Sequence, residues 1–149
     1  MTRRHQRGFT GVILMLDPEA APSAAVVGTV LVADDDVAIR ETLRAILELA
    51  DHEVLVAEDG EEVWRILAEH DIDVLVLDLT MPRVDGWAVL RALGRRRPVV
   101  IVHTGNVLSP GDIAAFLEFR PFGVLAKPVP PARMLAAVAD AVAEARASA

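Results

Sequence analysis

Five short apolar runs recur along the chain: TVLVA (Thr29–Ala33), EVLVA (Glu53–Ala57), VLVL (Val74–Leu77), VVIV (Val99–Val102) and GVLA (Gly123–Ala126). They lack the polar alternation of a strand with one wet face, so they read as strands covered on both sides. After each run, apolar residues recur at helical spacing. The sets are Ile39, Leu43, Ile46, Leu47 and Ala50; Val63, Ile66 and Leu67; Val89, Leu90 and Leu93; Ile113, Phe116 and Leu117; and Met134, Leu135, Val138 and Val142. Asp59, three residues before Glu62, makes a capping-box pattern at the second helix. Ser109-Pro110 opens the fourth with proline at the first helical position. The third helix is predicted over about 86–96 and the fifth over about 131–147. This (βα)5 alternation is the pattern of a doubly wound α/β fold, a parallel sheet with helices on both faces. One domain is expected over 29–149, with no strand left for a second domain and no output domain.

Length and composition agree with that reading. A chain of 149 residues suits one domain, and a hydrophobic fraction of 53% supplies a sizeable core. The formal charge of -7 disfavours nucleic acid as a direct partner, because binding its phosphates needs clustered cations. No apolar run approaches the roughly 18–20 residues of a membrane span. The absence of cysteine excludes disulfides and thiolate metal sites and fits a reducing, cytoplasmic setting. The start, MTRRHQRGFTGVILML, superficially resembles a secretory signal. Its apolar run, Val12–Leu16, has 5 residues, short of the roughly 7–15 of a signal core. Residues 1–28 are therefore expected to lie outside the fold, as a leader or as residues upstream of the true start.

In open α/β sheets, sites form outside the carboxyl ends of the strands. The residues there are Asp34, Asp35 and Asp36 after the first strand, and Asp78, Leu79 and Thr80 after the third. His103, Thr104, Gly105 and Asn106 follow the fourth, and Lys127 and Pro128 the fifth. Asp34, Asp35 and Asp78 would converge at one edge, where repulsion and partial burial call for a counter-ion. All-oxygen ligands point to Mg²⁺ or Mn²⁺. With Lys127 and Thr104 beside it, a carboxylate is well arranged to accept a phosphoryl group. Each residue also has a plainer reading: Asp34–Asp36 as a helix cap, Thr104 as structural, and Lys127 as the partner of an acid. His103 reads as packing beside the site. His52 and His70 read as surface or helix-end residues, Trp64 and Trp87 as packing residues, and Arg95–Arg97 as a solvated helix end.

The segments VLVADDD (Val30–Asp36), VLVLDLTMPRVDG (Val74–Gly86), VIVHTGN (Val100–Asn106) and AKP (Ala126–Pro128) together resemble the receiver domain of two-component response regulators. The spacings are 43 residues from Asp35 to Asp78, 26 on to Thr104 and 23 on to Lys127. The resemblance covers about four-fifths of the chain, from Thr29 to Ala147. It implies a flavodoxin-like fold with strand order 2-1-3-4-5. It implies Asp78 as phosphoacceptor, Asp35 as a direct Mg²⁺ ligand, Asp34 as its acidic neighbour and the Thr80 backbone carbonyl as a further ligand. Thr104 matches the switch hydroxyl, Lys127 the lysine that pairs with the phosphoryl group, and Lys127-Pro128 the site of a cis peptide. The implied partners are a histidine kinase or histidine phosphotransfer protein and a downstream protein, with a homodimer through the helix 4–strand 5–helix 5 face compatible with the pattern. Catalysis would be limited to self-phosphorylation and autodephosphorylation.

Two departures stand out. The family's aromatic switch position holds Val124, and EFRPFG (Glu118–Gly123) replaces a small Gly-Ala turn, with Pro121 expected to end the fourth helix. Output could then run through Thr104 and its loop, or through Phe119 or Phe122. Two other readings compete with a stand-alone phosphoacceptor. One is a receiver-fold binding scaffold that is never phosphorylated. The other is a haloacid-dehalogenase-type phosphohydrolase, whose general acid/base two residues past the nucleophile is here Thr80.

Overall fold

Every apolar run forms a strand in the computed structural model, which describes residues 26–93, 98–106 and 108–148. The strands are β1 (Thr29–Ala33), β2 (Glu53–Ala57), β3 (Val74–Leu77), β4 (Val99–Thr104) and β5 (Gly123–Ala126). They alternate with α1 (Val37–Leu49), α2 (Gly60–Glu69), α3 (Gly86–Leu93), α4 (Pro110–Phe119) and α5 (Pro131–Ala147). The sheet is parallel throughout, in the order β2-β1-β3-β4-β5. Order and connectivity are those of the flavodoxin-like fold, as the resemblance implied.

The helix starts follow from local chemistry. Asp36 caps α1 by accepting the Ala38 amide at 2.8 Å, and Asp59 caps α2 by accepting the Glu62 amide at 2.9 Å. At α4, Ser109 and Asp112 exchange side-chain and backbone bonds in a capping box. Each such cap satisfies amides that have no partner inside the helix.

The two sheet faces carry separate cores. Leu31, Leu75, Leu77, Val100 and Val102 pack with Val63, Val89, Leu90 and Phe116 under α2, α3 and α4. Val30, Val32, Val74, Val76 and Ile101 pack with Leu43, Leu47, Met134 and Val138 under α1 and α5. Burial on both faces explains why the strands read as unbroken apolar runs.

Several expectations need adjusting. On α4 only Phe116 is buried; Ile113 is 45% and Leu117 59% exposed, so the expected apolar face is largely open to solvent. Strand β4 runs two residues further than VVIV and includes His103 and Thr104. His52 is buried and accepts the Gly28 amide through Nδ1 at 3.1 Å, so it is not a surface residue. Residues 1–25 of the expected leader and the Arg95–Arg97 run lie outside the described residues. Residues 26–28, however, belong to the fold. Val26 packs on the α1/α5 core, and the Val27 carbonyl accepts from Arg146 at 2.8 Å. Pro121 lies just past α4, as expected, behind Arg120 in a left-handed cap (φ 55°).

Candidate functional site

Register brings the acidic residues together. Ala33 pairs with Leu77 across β1 and β3, and Leu77 with Val102 across β3 and β4. The next residue along each strand therefore emerges at the same edge of the sheet. The Asp34 amide donates to the Ala57 carbonyl at 3.0 Å, and the Asp78 amide to the Ala33 carbonyl at 2.9 Å. Both backbones are thus tied into the ladder where their side chains leave it.

Asp34, Asp35 and Asp78 each offer a carboxylate oxygen within 4.8 Å of the others. Asp34 is 1% and Asp78 5% exposed, while Asp35 faces solvent. Asp36, the third member of the acidic run, is the cap of α1 and stands apart in role. So the helix-cap reading holds for Asp36 and not for the other two. The Lys127 ammonium bonds Asp34 Oδ2 at 2.8 Å and lies 3.6 Å from Asp78 Oδ2. Asp34 Oδ1 accepts the Asp36 amide at 2.9 Å, and the Asp34 carbonyl accepts from Arg40 at 2.8 Å.

Burial raises the Asp78 pKa above the usual carboxylate value. The Asp34 charge pushes the same way, against the Lys127 charge and the Thr80 amide, which donates to Asp78 Oδ1 at 3.3 Å. One lysine against three acids leaves excess negative charge at a partly desolvated edge. That donor set, all oxygen and geometrically grouped, suits a hard dication.

The remaining residues line the rim. Thr104, 2% exposed, ends β4; its carbonyl accepts the Lys127 amide at 2.9 Å and its hydroxyl accepts the Asn106 amide at 3.2 Å. The peptide Lys127-Pro128 is cis. The Asn106 side-chain amide donates to the Thr80 hydroxyl at 2.5 Å, joining the loops that follow β3 and β4. That bond was not legible in the sequence, since 26 residues separate the partners. His103 is 5% exposed and belongs to β4 rather than to the acidic group. Burial, with the Lys127 charge added, lowers its pKa to about 4 against the pull of Asp34. Val124 is 8% exposed and packs in the core beneath α2, α3 and α4.

Behind Asp78 the backbone is closely braced. The Gly86 amide donates to the Leu79 carbonyl at 3.1 Å, and a Cβ on Gly86 would run into the Asp78 carbonyl. Glycine is therefore required where α3 starts. One residue on, Trp87 stacks on Phe116 of α4 with ring centroids 5.1 Å apart.

Comparison with known proteins agrees with this geometry. The family described as "Response regulator receiver domain" matches residues 30–139. The chain is 38% identical over 116 residues to the sensory/regulatory protein RpfC of Xanthomonas campestris, covering 74% of this chain and 16% of RpfC. It is 34% identical over 80 residues to the response regulator GtcR of Aneurinibacillus migulanus, covering 52% of this chain and 33% of GtcR. The chain thus spans a third or less of the length of these two curated relatives. A response regulator receiver domain structure from Clostridium thermocellum superposes with a TM-score of 0.73 at 31% identity, covering 82% of this chain and 99% of that one. Parallel βα topology, an acidic group at the carboxyl edge and a family match over most of the fold lead to one conclusion: the chain belongs to the response regulator receiver domain family.

Proposed function

We propose that the chain is a phosphoacceptor, phosphorylated on Asp78 by a histidine kinase or histidine phosphotransfer protein. The observation that carries this is the grouping of Asp34, Asp35 and Asp78 within 4.8 Å with Lys127 on Asp34. In the transfer, an Asp78 carboxylate oxygen forms a bond to phosphorus as the donor's phosphorus–nitrogen bond breaks, and the imidazole nitrogen takes up a proton. Mg²⁺, when bound, neutralises charge on the transferring oxygens. Asp34, Asp35, Asp78 and the Thr80 carbonyl would hold it. Lys127 lies 3.6 Å from Asp78, close enough to leave Asp34 for a phosphoryl oxygen. Thr104, at the end of β4, supplies a hydroxyl for the same group. Thr80 stands where a phosphohydrolase of the haloacid dehalogenase type needs a carboxylate, so proton transfer of that kind lacks its agent.

Output runs through protein contacts on the face of α4, β5 and α5, where Ile113 and Leu117 are exposed. A second reading, a receiver-fold scaffold that is never phosphorylated, is favoured by Val124, which gives the switch position no ring to move. Phosphotransfer from a panel of labelled histidine kinases with Mg²⁺ separates the two. The parent acquires label, and Asp78→Ala acquires none. Label that persists in Asp78→Ala refutes the acceptor assignment. A parent that takes no label and shows no amide shifts with Mg²⁺ and beryllofluoride is the scaffold.

A further inference from the structure

Residues 79–85 lead from the acceptor to α3 and carry the Thr80 carbonyl, and they are held at both ends. On the inner side the Gly86 amide bonds the Leu79 carbonyl at 3.1 Å. On the outer side the contacts are to the start of α2. The Gly60 amide donates to the Val84 carbonyl at 2.9 Å, and Gly60 lies so close that a Cβ would strike Val84. Arg83 completes this attachment. Its Nε lies 2.7 Å and a terminal nitrogen 2.5 Å from Asp59 Oδ2.

The Asp59 side chain is only 6% exposed, and its other oxygen is committed to the Glu62 amide at 2.9 Å. The anchor is therefore fixed in the fold. Arg83 has φ 62°, a left-handed conformation that disfavours a non-glycine residue. Neighbouring contacts must hold it there, and the guanidinium–carboxylate bond to Asp59 is one that this side chain itself makes.

We infer that Arg83 is a positioning residue: its bond to Asp59 sets the loop that presents the Thr80 carbonyl, and so tunes Mg²⁺ affinity at the acidic group. This rests on the phosphoacceptor reading above. The Arg83 side chain is 54% exposed, and exposed ion pairs contribute little to global stability. Loop placement is accordingly separable from folding. Partners that orient metal ligands from outside typically account for 10- to 100-fold in affinity. Arg83 acts from three residues away and through an exposed ion pair, so its effect falls below that range, at about two- to fivefold.

Calorimetric Mg²⁺ titration of the full chain tests this. Arg83→Ala raises the dissociation constant about two- to fivefold, Arg83→Lys recovers part of the loss, and neither moves the urea midpoint measured without Mg²⁺ appreciably. Asp59→Asn keeps an N-cap acceptor but removes the charge. It weakens binding similarly, and the double variant is no weaker than either single one. Equal affinity in parent and Arg83→Ala, or losses that add in the double variant, overturn the inference. A parent that binds no Mg²⁺ refutes the phosphoacceptor reading itself, whereas a binding parent with an equally binding Arg83→Ala refutes only the role of Arg83.

Discussion

His103 is a titratable side chain in a position built for apolar packing. Its register partner on β5 is Leu125, and Ile101 lies on the same face, in the core under α1 and α5. The folded chain therefore keeps it neutral down to a pKa of about 4, while an unfolded histidine protonates near 6.5. Stability from this group is full above pH 6.5 and is lost as pH falls from 6.5 to about 4. The loss is about 1.4 kcal/mol per pH unit, or about 3 kcal/mol in all. His52, lowered chiefly by burial, acts in the same direction. Asp78, raised by burial, acts in the opposite one, gaining stability for the fold as it protonates. Comparing parent with His103→Leu cancels both. Urea unfolding at pH 7 and pH 4.5 gives a smaller drop in the variant; equal drops would show that His103 is not held neutral. None of this could be taken from composition, because the sequence places His103 at a strand end but does not say which face it joins.

At the scale of elements, α4 is the unusual piece. Its Phe116 is 1% exposed and stacks on Trp87, whereas Ile113 and Leu117 face solvent. Phe116→Ala is expected to cost about 3–5 kcal/mol, as large-to-small changes in a packed core do. Ile113→Lys and Leu117→Lys stay within about 0.5 kcal/mol, as surface substitutions do. Denaturant midpoints distinguish the cases, and comparable losses at all three positions would mean that the exposed pair is covered in solution. The stack also connects the backbone at Asp78 to α4. Gly86 abuts the Asp78 backbone, Trp87 follows it, and Phe116 carries the contact into α4. Since Val124 provides no ring, the Trp87 emission of a Trp64→Phe variant should change on addition of Mg²⁺ and beryllofluoride. An unchanged spectrum would remove this route. The helical period showed that α4 had an apolar set, but not that neighbours cover only one member of it.

For the whole molecule, the acidic edge implies a trade between repulsion and ligand binding. Mg²⁺ at about 100 times its dissociation constant should raise the unfolding free energy by about 2.7 kcal/mol. Chelation should reverse the gain, and Asp35→Asn, which removes a solvent-facing carboxylate from the acidic group, should shrink it. A urea midpoint indifferent to Mg²⁺ would contradict the metal reading. The layout that creates this edge was legible from order along the chain. Apolar runs of strand length, helical periods between them and acids after the first and third runs specify a parallel sheet and its carboxyl edge, because strand and helix periodicities differ and parallel connections have one hand. Local sequence also set the caps at Asp36, Asp59 and Ser109, since a cap is made by residues two or three positions apart. What the tertiary structure decided lies between residues distant in sequence. It put Lys127 on Asp34 rather than midway to Asp78, joined Asn106 to Thr80 and Arg83 to Asp59, and turned Ile113 outward. Such contacts depend on the packing of whole elements against each other, and a linear pattern carries no term for the distance between loops that only the folded sheet brings together.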